Sequence, residues 1–291
     1  MRLLIYEHVT AGGLGERPAP SLLREGAAML RAVVEDFAAV ADVVVQTPAS
    51  AFRDLVRKAD AVLAIAPEFD GILERLQREA SDADCRWLGC SAEAIRLAAD
   101  KRTLGEWWLS RGVPTPRFMH GPTRDSVVVK PRFGAGSQDT QRFDNLSARV
   151  SDAFIVQEFV PGLPASIAFL CGPRDQVPML AAEQTLTQDG CFQYLGGRIP
   201  LPSSLEQRAI NLGRHALAGI PGLLGWVGVD LVLGDSAADD RAIEINPRLT
   251  TSYVGMRQLS TTNLADAWLK VANGEAVDLR WRDDLVCFDA A

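Results

Sequence analysis

The sequence has little lysine and no recognisable cysteine motif. Only four of its 30 basic residues are lysine, and its five cysteines show no C-x-x-C spacing. This pattern argues against a disulfide framework and against a structural zinc site, so we predict reduced, mostly buried thiols. The three histidines and the cysteines form no recognisable nucleophilic triad.

Long apolar runs and an excess of positive charge are also missing. The uncharged stretch 216–229 is interrupted by glycine and proline and is shorter than the roughly 20 residues of a spanning helix. The apolar segment after Arg2 is too short for a signal peptide. A net charge of -7 opposes binding to nucleic acid or to anionic membranes. We expect a cytoplasmic protein that binds neither nucleic acid nor membrane.

The composition is that of an ordinary globular protein. Apolar residues make up 47% and charged residues 23% of the 291 positions, which is enough chain for two domains or for one with subdomains. Short apolar runs at 3–6, 43–45 and 61–66 alternate with helical patterns, as in a parallel sheet that is buried on both faces. We predict an α/β (α+β) fold that begins with a Rossmann-like open sheet domain.

Two helix starts are predicted from capping residues. Ser91 is expected to cap a helix that runs through Leu97. Ser204 and Gln207 have the spacing of a capping box at the start of a helix toward Leu217.

Lys130 closes an apolar run at 127–129 and is followed by a glycine loop at 134–137. Backbone amides of such a loop can surround an anion, and a compact ammonium can approach a phosphate closely. The loop lacks the Gly-Lys-Ser/Thr sequence of a Walker motif. A phosphate cradle and a plain hairpin turn are both compatible with this segment alone.

Carboxylates interrupt two predicted core strands, 226–233 and 242–246. The alternation of a strand isolates Asp230 among apolar neighbours and places Glu244 beside Asn246 on one face. A buried carboxylate needs a cation or several donors, and two carboxylates with an amide oxygen suit Mg²⁺ better than Zn²⁺. The alternative is a strand-ending Asn-Pro turn with Glu244 in a surface salt bridge.

Other polar segments are ambiguous at this level. Arg248 and the polar run 250–253 either bind an anionic group or form an exposed turn. Glu7 and His8 follow the first predicted strand, where open sheets bind ligands, but a structural role is equally compatible. The next turn, Gly12-Gly13-x-Gly15, does not match a dinucleotide fingerprint.

The order of these features resembles the ATP-grasp superfamily. The ordered set is Lys101, Lys130, the glycine loop, the strand 157–160, Asp230 and the Glu244-Ile245-Asn246 segment. The resemblance covers 100–253 closely, with an upstream α/β unit like the usual N-terminal domain of that superfamily. It implies an N-terminal domain at 1–98, a small ATP-grasp subdomain with the glycine loop at 99–160 and a large C-terminal subdomain at 161–291.

The resemblance also implies how ATP and its metal would be bound. The phosphates would be reached by Lys101 and Lys130. The phosphates would be covered by Gly134, Ala135, Gly136 and Ser137. The adenine would lie against Gln157, Glu158, Phe159 and Val160, with the backbone of Glu158 and Val160 reading its edge. Magnesium, or manganese as a substitute, would be held by Asp230, Glu244 and Asn246. Pro164 stands where many relatives have a ribose-binding glutamate, so the ribose contacts are left open.

The segments 156–166 and 244–253, with the opening strand and 66–70, are similar to a narrower branch of carboxylate-amine ligases. That branch includes the tyramine-glutamate ligases of methanofuran synthesis. It implies that a substrate carboxylate attacks the γ-phosphate of ATP and that an amine then displaces phosphate to form an amide. The expected catalytic residues are Lys130 and Arg248.

The expected substrates are L-glutamate, with Arg248 as the carboxylate anchor, and tyramine or a related aromatic amine. Secondary candidates for substrate contacts are Arg132, Tyr194 and Arg198. One alternative is an ATP-grasp ligase for a different acid and amine. Another is a regulatory protein that binds ATP without chemistry. The oligomeric state is left open, with a homodimer as one option.

Overall fold

A computed structural model describes residues 1–15, 20–47 and 50–289. The first layer is a parallel four-stranded sheet in the order β2-β1-β3-β4. Its strands are β1 (Arg2–Glu7), β2 (Asp42–Val45), β3 (Ala61–Ile65) and β4 (Arg86–Trp87). The helices of this layer are α1 (Pro20–Ala38), α2 (Phe52–Val56), α3 (Ile72–Asp82) and α4 (Ala92–Ala99). The predicted open α/β sheet is confirmed.

Helix α5 (Lys101–Ser110) leads into a small antiparallel sheet in the order β6-β5-β7. Its strands are β5 (Val127–Pro131), β6 (Gln141–Phe143) and β7 (Phe154–Glu158). The glycine loop joins β5 to β6 and therefore lies at the edge of this sheet.

The third sheet is antiparallel, with six strands in the order β12-β11-β8-β9-β10-β13. Its strands are β8 (Leu163–Cys171), β9 (Gln176–Leu186), β10 (Tyr194–Ile199), β11 (Gly225–Leu233), β12 (Arg241–Asn246) and β13 (Val286–Asp289). Its helices are α6 (Ser203–Leu217), α7 (Ser252–Leu259) and α8 (Leu264–Ala272). The three sheets fall within the three predicted segments, whose boundaries remain predictions.

The apolar pattern explains how α1 packs. Met29, Val33 and Phe37 recur every four residues and form one buried stripe. This stripe joins β1 and the aromatic side chains Trp226 and Trp268 in a single core. The N-terminal layer and the six-stranded sheet therefore share apolar contacts.

The capping predictions had different outcomes. The hydroxyl of Ser91 accepts a hydrogen bond from the Ala94 N–H at 3.3 Å, which confirms the first cap. The capping box at Ser204 is wrong because α6 begins at Ser203, after Pro202. The Pro202 carbonyl accepts from the N–H of Glu206 at 2.9 Å, and no side chain caps the helix.

Burial of the thiols agrees with the sequence. All five cysteines are free; Cys85, Cys90 and Cys171 are buried, and only Cys287 is exposed. Among the helices described, none has both the length and the apolar character needed to cross a bilayer.

Asp36 connects α1 to α7 and to the start of α8. Its carboxylate accepts hydrogen bonds from the Tyr253 hydroxyl at 2.6 Å and from Arg257 at 2.7 and 3.0 Å. Its carbonyl accepts from Asn263 Nδ2 at 2.9 Å. Because Tyr253 is fully buried, its hydroxyl depends on this carboxylate.

We predict that Asp36→Ala lowers the free energy of unfolding by about 2–4 kcal/mol, because a buried hydroxyl and a guanidinium lose their acceptor. Urea unfolding followed by circular dichroism measures the change. Glu35→Ala is the matched control, since Glu35 also contacts Arg257, at 3.0 Å, but its side chain is 55% exposed. The control should lose about 0.5 kcal/mol or less. Equal losses in the two variants would contradict this role of Asp36.

Candidate active site

A cleft of about 480 Å³ is lined by residues of the small sheet and of the six-stranded sheet. Every residue expected to contact ATP, to hold the metal or to act in catalysis lines this cleft. The set is Lys101, Lys130, Gly134, Ala135, Gly136, Ser137, Gln157, Glu158, Phe159, Val160, Asp230, Glu244, Asn246 and Arg248. Their roles remain predictions, but residues that are far apart in the sequence meet at one surface.

Lys101 links the glycine loop to β12. Its ammonium donates to the Gly134 carbonyl and lies 3.4 Å from Glu244 Oε2. Lys101 is the first residue of α5, whose N-cap is Asp100. Burial acts to raise the pKa of Asp100, but hydrogen bonds from Arg132 and Thr103 hold it at about 2. The start of α5 is therefore fixed by an ionised cap.

Lys130 projects from β5 into the cleft and is only 8% exposed. Its pKa is lowered to about 8, mainly by burial; Glu244 and Asp230 act to raise it, while Lys101 acts to lower it. An anion that enters the cleft would stabilise the charged form of Lys130 and raise its pKa.

Asp230 and Glu244 are register partners on β11 and β12. The Asp230 carboxylate accepts from Gln184 Nε2 at 2.9 Å and from Asn246 Nδ2 at 2.9 Å. Burial and the neighbouring Glu244 raise the pKa of Asp230 to about 7. Burial also acts to raise the pKa of Glu244, but Lys101 and Lys130 lower it overall. Glu244 is therefore ionised near neutral pH, whereas Asp230 gives up its proton less readily.

The donor chemistry of this pair and Asn246 fits Mg²⁺. Asp230 and Glu244 supply carboxylate oxygens, and the Asn246 amide nitrogen is engaged with Asp230, which leaves Asn246 Oδ1 as the ligand atom. Within residues 1–15, 20–47 and 50–289, no group of three His, Cys, Asp or Glu side chains is arranged to hold a metal. Phosphate oxygens and water would complete the octahedral coordination that Mg²⁺ requires.

The segment 157–160, which is expected to contact the adenine and is called the hinge, is anchored to the segment before β5. Gln157 is buried, and its Nε2 donates to the Pro116 carbonyl at 3.3 Å. The Glu158 N–H donates to the Arg117 carbonyl at 3.0 Å, and its carboxylate accepts from Arg117 Nε at 2.6 Å. Because the N–H of Glu158 is already engaged, only its carbonyl can make the predicted contact with an adenine edge.

An aromatic cover that the sequence analysis missed lies over the hinge. Phe159 and Phe192 stack with ring centroids 6.2 Å apart, and the Arg142 guanidinium carbon lies 3.9 Å from the Phe159 ring centroid. The Arg142 N–H donates to the Gly190 carbonyl at 2.8 Å, so the β9–β10 loop reaches the small sheet. This loop carries no motif, and only its tertiary position reveals it.

Arg248 is held by the N-terminal layer. Its Nε donates to Glu68 Oε2 at 2.9 Å, and its Nη1 donates to the Leu249 carbonyl at 3.3 Å. Glu68 is buried, with 5% of its side chain exposed. Glu68 lies in the 66–70 segment, to which the sequence analysis gave no role.

The secondary candidates are divided between the cleft and the rest of the molecule. Tyr194 lines the cleft, and burial raises the pKa of its hydroxyl. Arg132 instead holds Asp100, at 2.6 and 2.7 Å. Arg198 is half-exposed and pairs with Glu183 outside the cleft. Pro164 lines the cleft, and the ribose contacts stay open.

Glu7 and His8 have structural roles. The Glu7 carboxylate accepts from the N–H groups of Val9 and Thr10 at 3.1 and 2.6 Å. His8 Nδ1 lies 2.7 Å from the Tyr6 hydroxyl. A Cβ on Gly13 would lie 2.2 Å from the His8 ring, so only glycine allows this turn to pack. Neither Glu7 nor His8 lines the cleft.

Comparison with protein families identifies the class. Residues 98–252 match the family model of the ATP-grasp domain, and residues 29–95 match that of the pre ATP-grasp 3 domain. The chain therefore belongs to the ATP-grasp family, and the predicted fold is confirmed. Enzymes of this family bind ATP and Mg²⁺.

Two relatives specify the kind of enzyme. The chain is 31% identical to tyramine–L-glutamate ligase of Methanocaldococcus fervens over 223 residues, which cover 77% of this chain and 69% of the relative. It is 29% identical to tyramine–L-glutamate ligase of Methanocaldococcus jannaschii over 230 residues, 79% of this chain and 68% of the relative. The protein is an ATP-grasp carboxylate-amine ligase, which forms a carbon-nitrogen bond.

A solved structure supports the fold over the whole length. The crystal structure of a protein assigned to the ATP-grasp superfamily, from Archaeoglobus fulgidus, superposes with a TM-score of 0.79 at 25% sequence identity. The match covers 99% of each chain.

Asp230 is expected to make the metal-free protein less stable as the pH rises. Its folded pKa of about 7 lies above the ordinary aspartate value of 3.8, so folded-state stability falls between about pH 4 and pH 7 and the loss is complete above pH 7. Chemical unfolding at pH 5 and pH 8 should show Asp230→Asn gaining stability relative to the wild type at the higher pH. Asp175→Asn, at an exposed position away from the cleft, is the control.

The same variant tests the metal site. At pH 8, Mg²⁺ added to the ADP-bound protein should raise the melting temperature of the wild type and of Asp175→Asn but not that of Asp230→Asn. Equal responses of all three proteins to Mg²⁺ would refute the assignment of Asp230 as a metal ligand.

Proposed function

We propose that this ligase joins L-glutamate to tyramine or a related aromatic amine, through an acyl phosphate, with release of ADP and phosphate. The observation that carries the proposal is one cleft in which Lys101, Lys130 and the glycine loop face the pair Asp230 and Glu244, with Arg248 in the same lining. The substrates are taken from the names of the two tyramine–L-glutamate ligases that resemble the chain. Such a reaction belongs to methanofuran-type cofactor synthesis.

The charged residues support phosphoryl transfer without a protein nucleophile. Lys101 and Lys130 neutralise the charge that develops on the γ-phosphoryl group, and amides of the glycine loop hold its oxygens. Asp230, Glu244 and Asn246 would hold Mg²⁺, or Mn²⁺ in its place, which supplies further neutralisation of the phosphates. Positioning of the two substrates provides the remaining rate enhancement.

The two chemical steps balance without an additional reagent. A carboxylate oxygen of glutamate attacks the γ-phosphorus of ATP, and the bond from that phosphorus to the β-phosphate bridging oxygen breaks, which releases ADP. The neutral amine then attacks the acyl carbon, and phosphate leaves with the electron pair of the C–O bond. The nitrogen loses one proton, and the amide remains. Arg248, fixed by Glu68, anchors a carboxylate of the acid.

We expect the purified enzyme with Mg²⁺ and ATP to release ADP only when L-glutamate and tyramine are both present. The product mass should equal glutamate plus tyramine minus water. Glu244→Ala should abolish this turnover and leave the circular dichroism spectrum unchanged, because the metal loses a ligand. Glu183→Ala, on β9 of the same sheet but outside the cleft, is the control and should stay active. ADP release only with other acids or amines would refute the named substrates, and an active Glu244→Ala would refute the metal assignment.

The anchoring role of Arg248 has its own test. Arg248→Lys should raise the KM for L-glutamate about tenfold or more and leave the KM for ATP unchanged, because an ammonium cannot reproduce the forked contact of a guanidinium. Initial rates of ADP release at varied glutamate measure this. Arg198→Lys is the matched control, since Arg198 lies outside the cleft. A glutamate KM unaffected by Arg248→Lys would remove Arg248 from this role.

A further inference from the structure

We propose that Glu25 binds the ammonium group of the amino-acid substrate, beside the carboxylate anchor Arg248. The inference rests on the proposed function in one respect, namely that the acid substrate is an amino acid. It assigns the recognition of that substrate to a residue of the N-terminal layer that no sequence motif marks.

Helix α1 brings Glu25 to the end of the cleft that is lined by the glycine loop. A Cβ on Gly136 would lie 3.7 Å from Leu22 Cδ2, so the first turn of α1 packs against the glycine loop. Leu22 and Glu25 are three residues apart and share one face of the helix. Glu25 therefore lines the cleft one turn beyond this contact.

The other acidic side chains of the cleft are already engaged. Glu158 is paired with Arg117, Asp230 accepts from two amides, and Glu244 faces Lys101. Glu25 accepts one long hydrogen bond, from the Thr251 hydroxyl at 3.5 Å, and has no salt bridge to any described residue. Burial raises the pKa of Glu25. A cation placed here would offset the cost of keeping this carboxylate partly out of water.

Arg248 provides the second half of the site. It is near enough to Glu25 to oppose the rise in the pKa of that carboxyl, yet the two form no salt bridge. Arg248 Nε and Nη1 are engaged with Glu68 and Leu249, while Nη2 has no acceptor among the described residues. Thr251 lies three residues after Arg248 and contacts Glu25. A guanidinium and a carboxylate that face one space without pairing match the opposite charges of an α-amino acid.

The ammonium of the amino-acid substrate fits this position better than that of the acceptor amine. The acceptor must lose a proton before it attacks the acyl phosphate, and a carboxylate that stabilises its cationic form would oppose this step. The amino group of the acid substrate stays charged throughout the reaction. A permanent ion pair with Glu25 would therefore orient this substrate without hindering the chemistry.

The experiment compares L-glutamate with glutarate, which has the same two carboxylates but no amino group. Calorimetry measures the binding of each to protein saturated with Mg²⁺ and a non-hydrolysable ATP analogue. We expect the wild type to prefer glutamate by about tenfold or more. Glu25→Gln should weaken glutamate binding about 10- to 100-fold and change glutarate binding by about twofold or less, so that the preference disappears. Glu35→Gln, on the exposed side of the same helix, should keep the preference.

Turnover separates the two substrates. Glu25→Gln should raise the KM for glutamate and leave those for tyramine and ATP unchanged. A preference that survives in Glu25→Gln, or equal losses for glutamate and glutarate, would overturn the proposal. A rise confined to the KM for tyramine would also overturn it, since Glu25 would then serve the acceptor.

A wrong choice of glutamate as the substrate would give a different result from a wrong assignment of Glu25. If the wild type binds neither glutamate nor glutarate, the same comparison is made with aspartate and succinate and with alanine and propionate. A preference for the amino form that depends on Glu25 would support the ammonium site and reject only glutamate. No preference for the amino form in any pair would overturn the ammonium site itself.

Discussion

The balance of buried charge in the cleft is the constraint on which the rest of the site depends. Asp230 and Glu244 are neighbours on adjacent strands, and Glu244 opposes the ionisation of Asp230. Lys101 and Lys130 face them, and Lys101 in turn disfavours the charge of Lys130. Each pair places like charges side by side, so neither pair is favourable without the opposite charge of the other. The arrangement is completed by a ligand that carries both charges, as a polyphosphate with a divalent cation does.

Three layers must meet before this balance can form. The small sheet contributes Lys130 and the six-stranded sheet contributes the acidic pair, while Lys101 begins the helix that precedes both. The N-terminal layer reaches the same cleft through Glu25 and fixes Arg248 through Glu68. Relative motion of the layers would therefore change nucleotide contacts and substrate contacts together. The apolar core shared by α1 and the large sheet, with Asp36 beside it, opposes such motion.

Local sequence signals predicted the parts of the site that lie on regular elements. The alternation of β11 placed Asp230 on the face opposite the buried Val227 and Val229, and the structure agrees. The order of lysines, glycine loop and carboxylates indicated the family, and the family model bears this out. A local pattern was misleading at Ser204, because the helix starts one residue earlier, after a proline that fixes its first turn.

The sequence by itself determined the strands that carry Lys130 and the acidic pair, the chemistry of that pair and the resemblance to a ligase family, because each depends on residues close together or in a fixed order. Only the tertiary structure brought Glu25, Gln184 and Phe192 to the cleft and Glu68 to Arg248. These residues are ordinary polar or apolar positions in their own segments, and they acquire a partner only when separate layers pack together. Electrostatic and aromatic contacts depend on distance in space, which local periodicity does not encode.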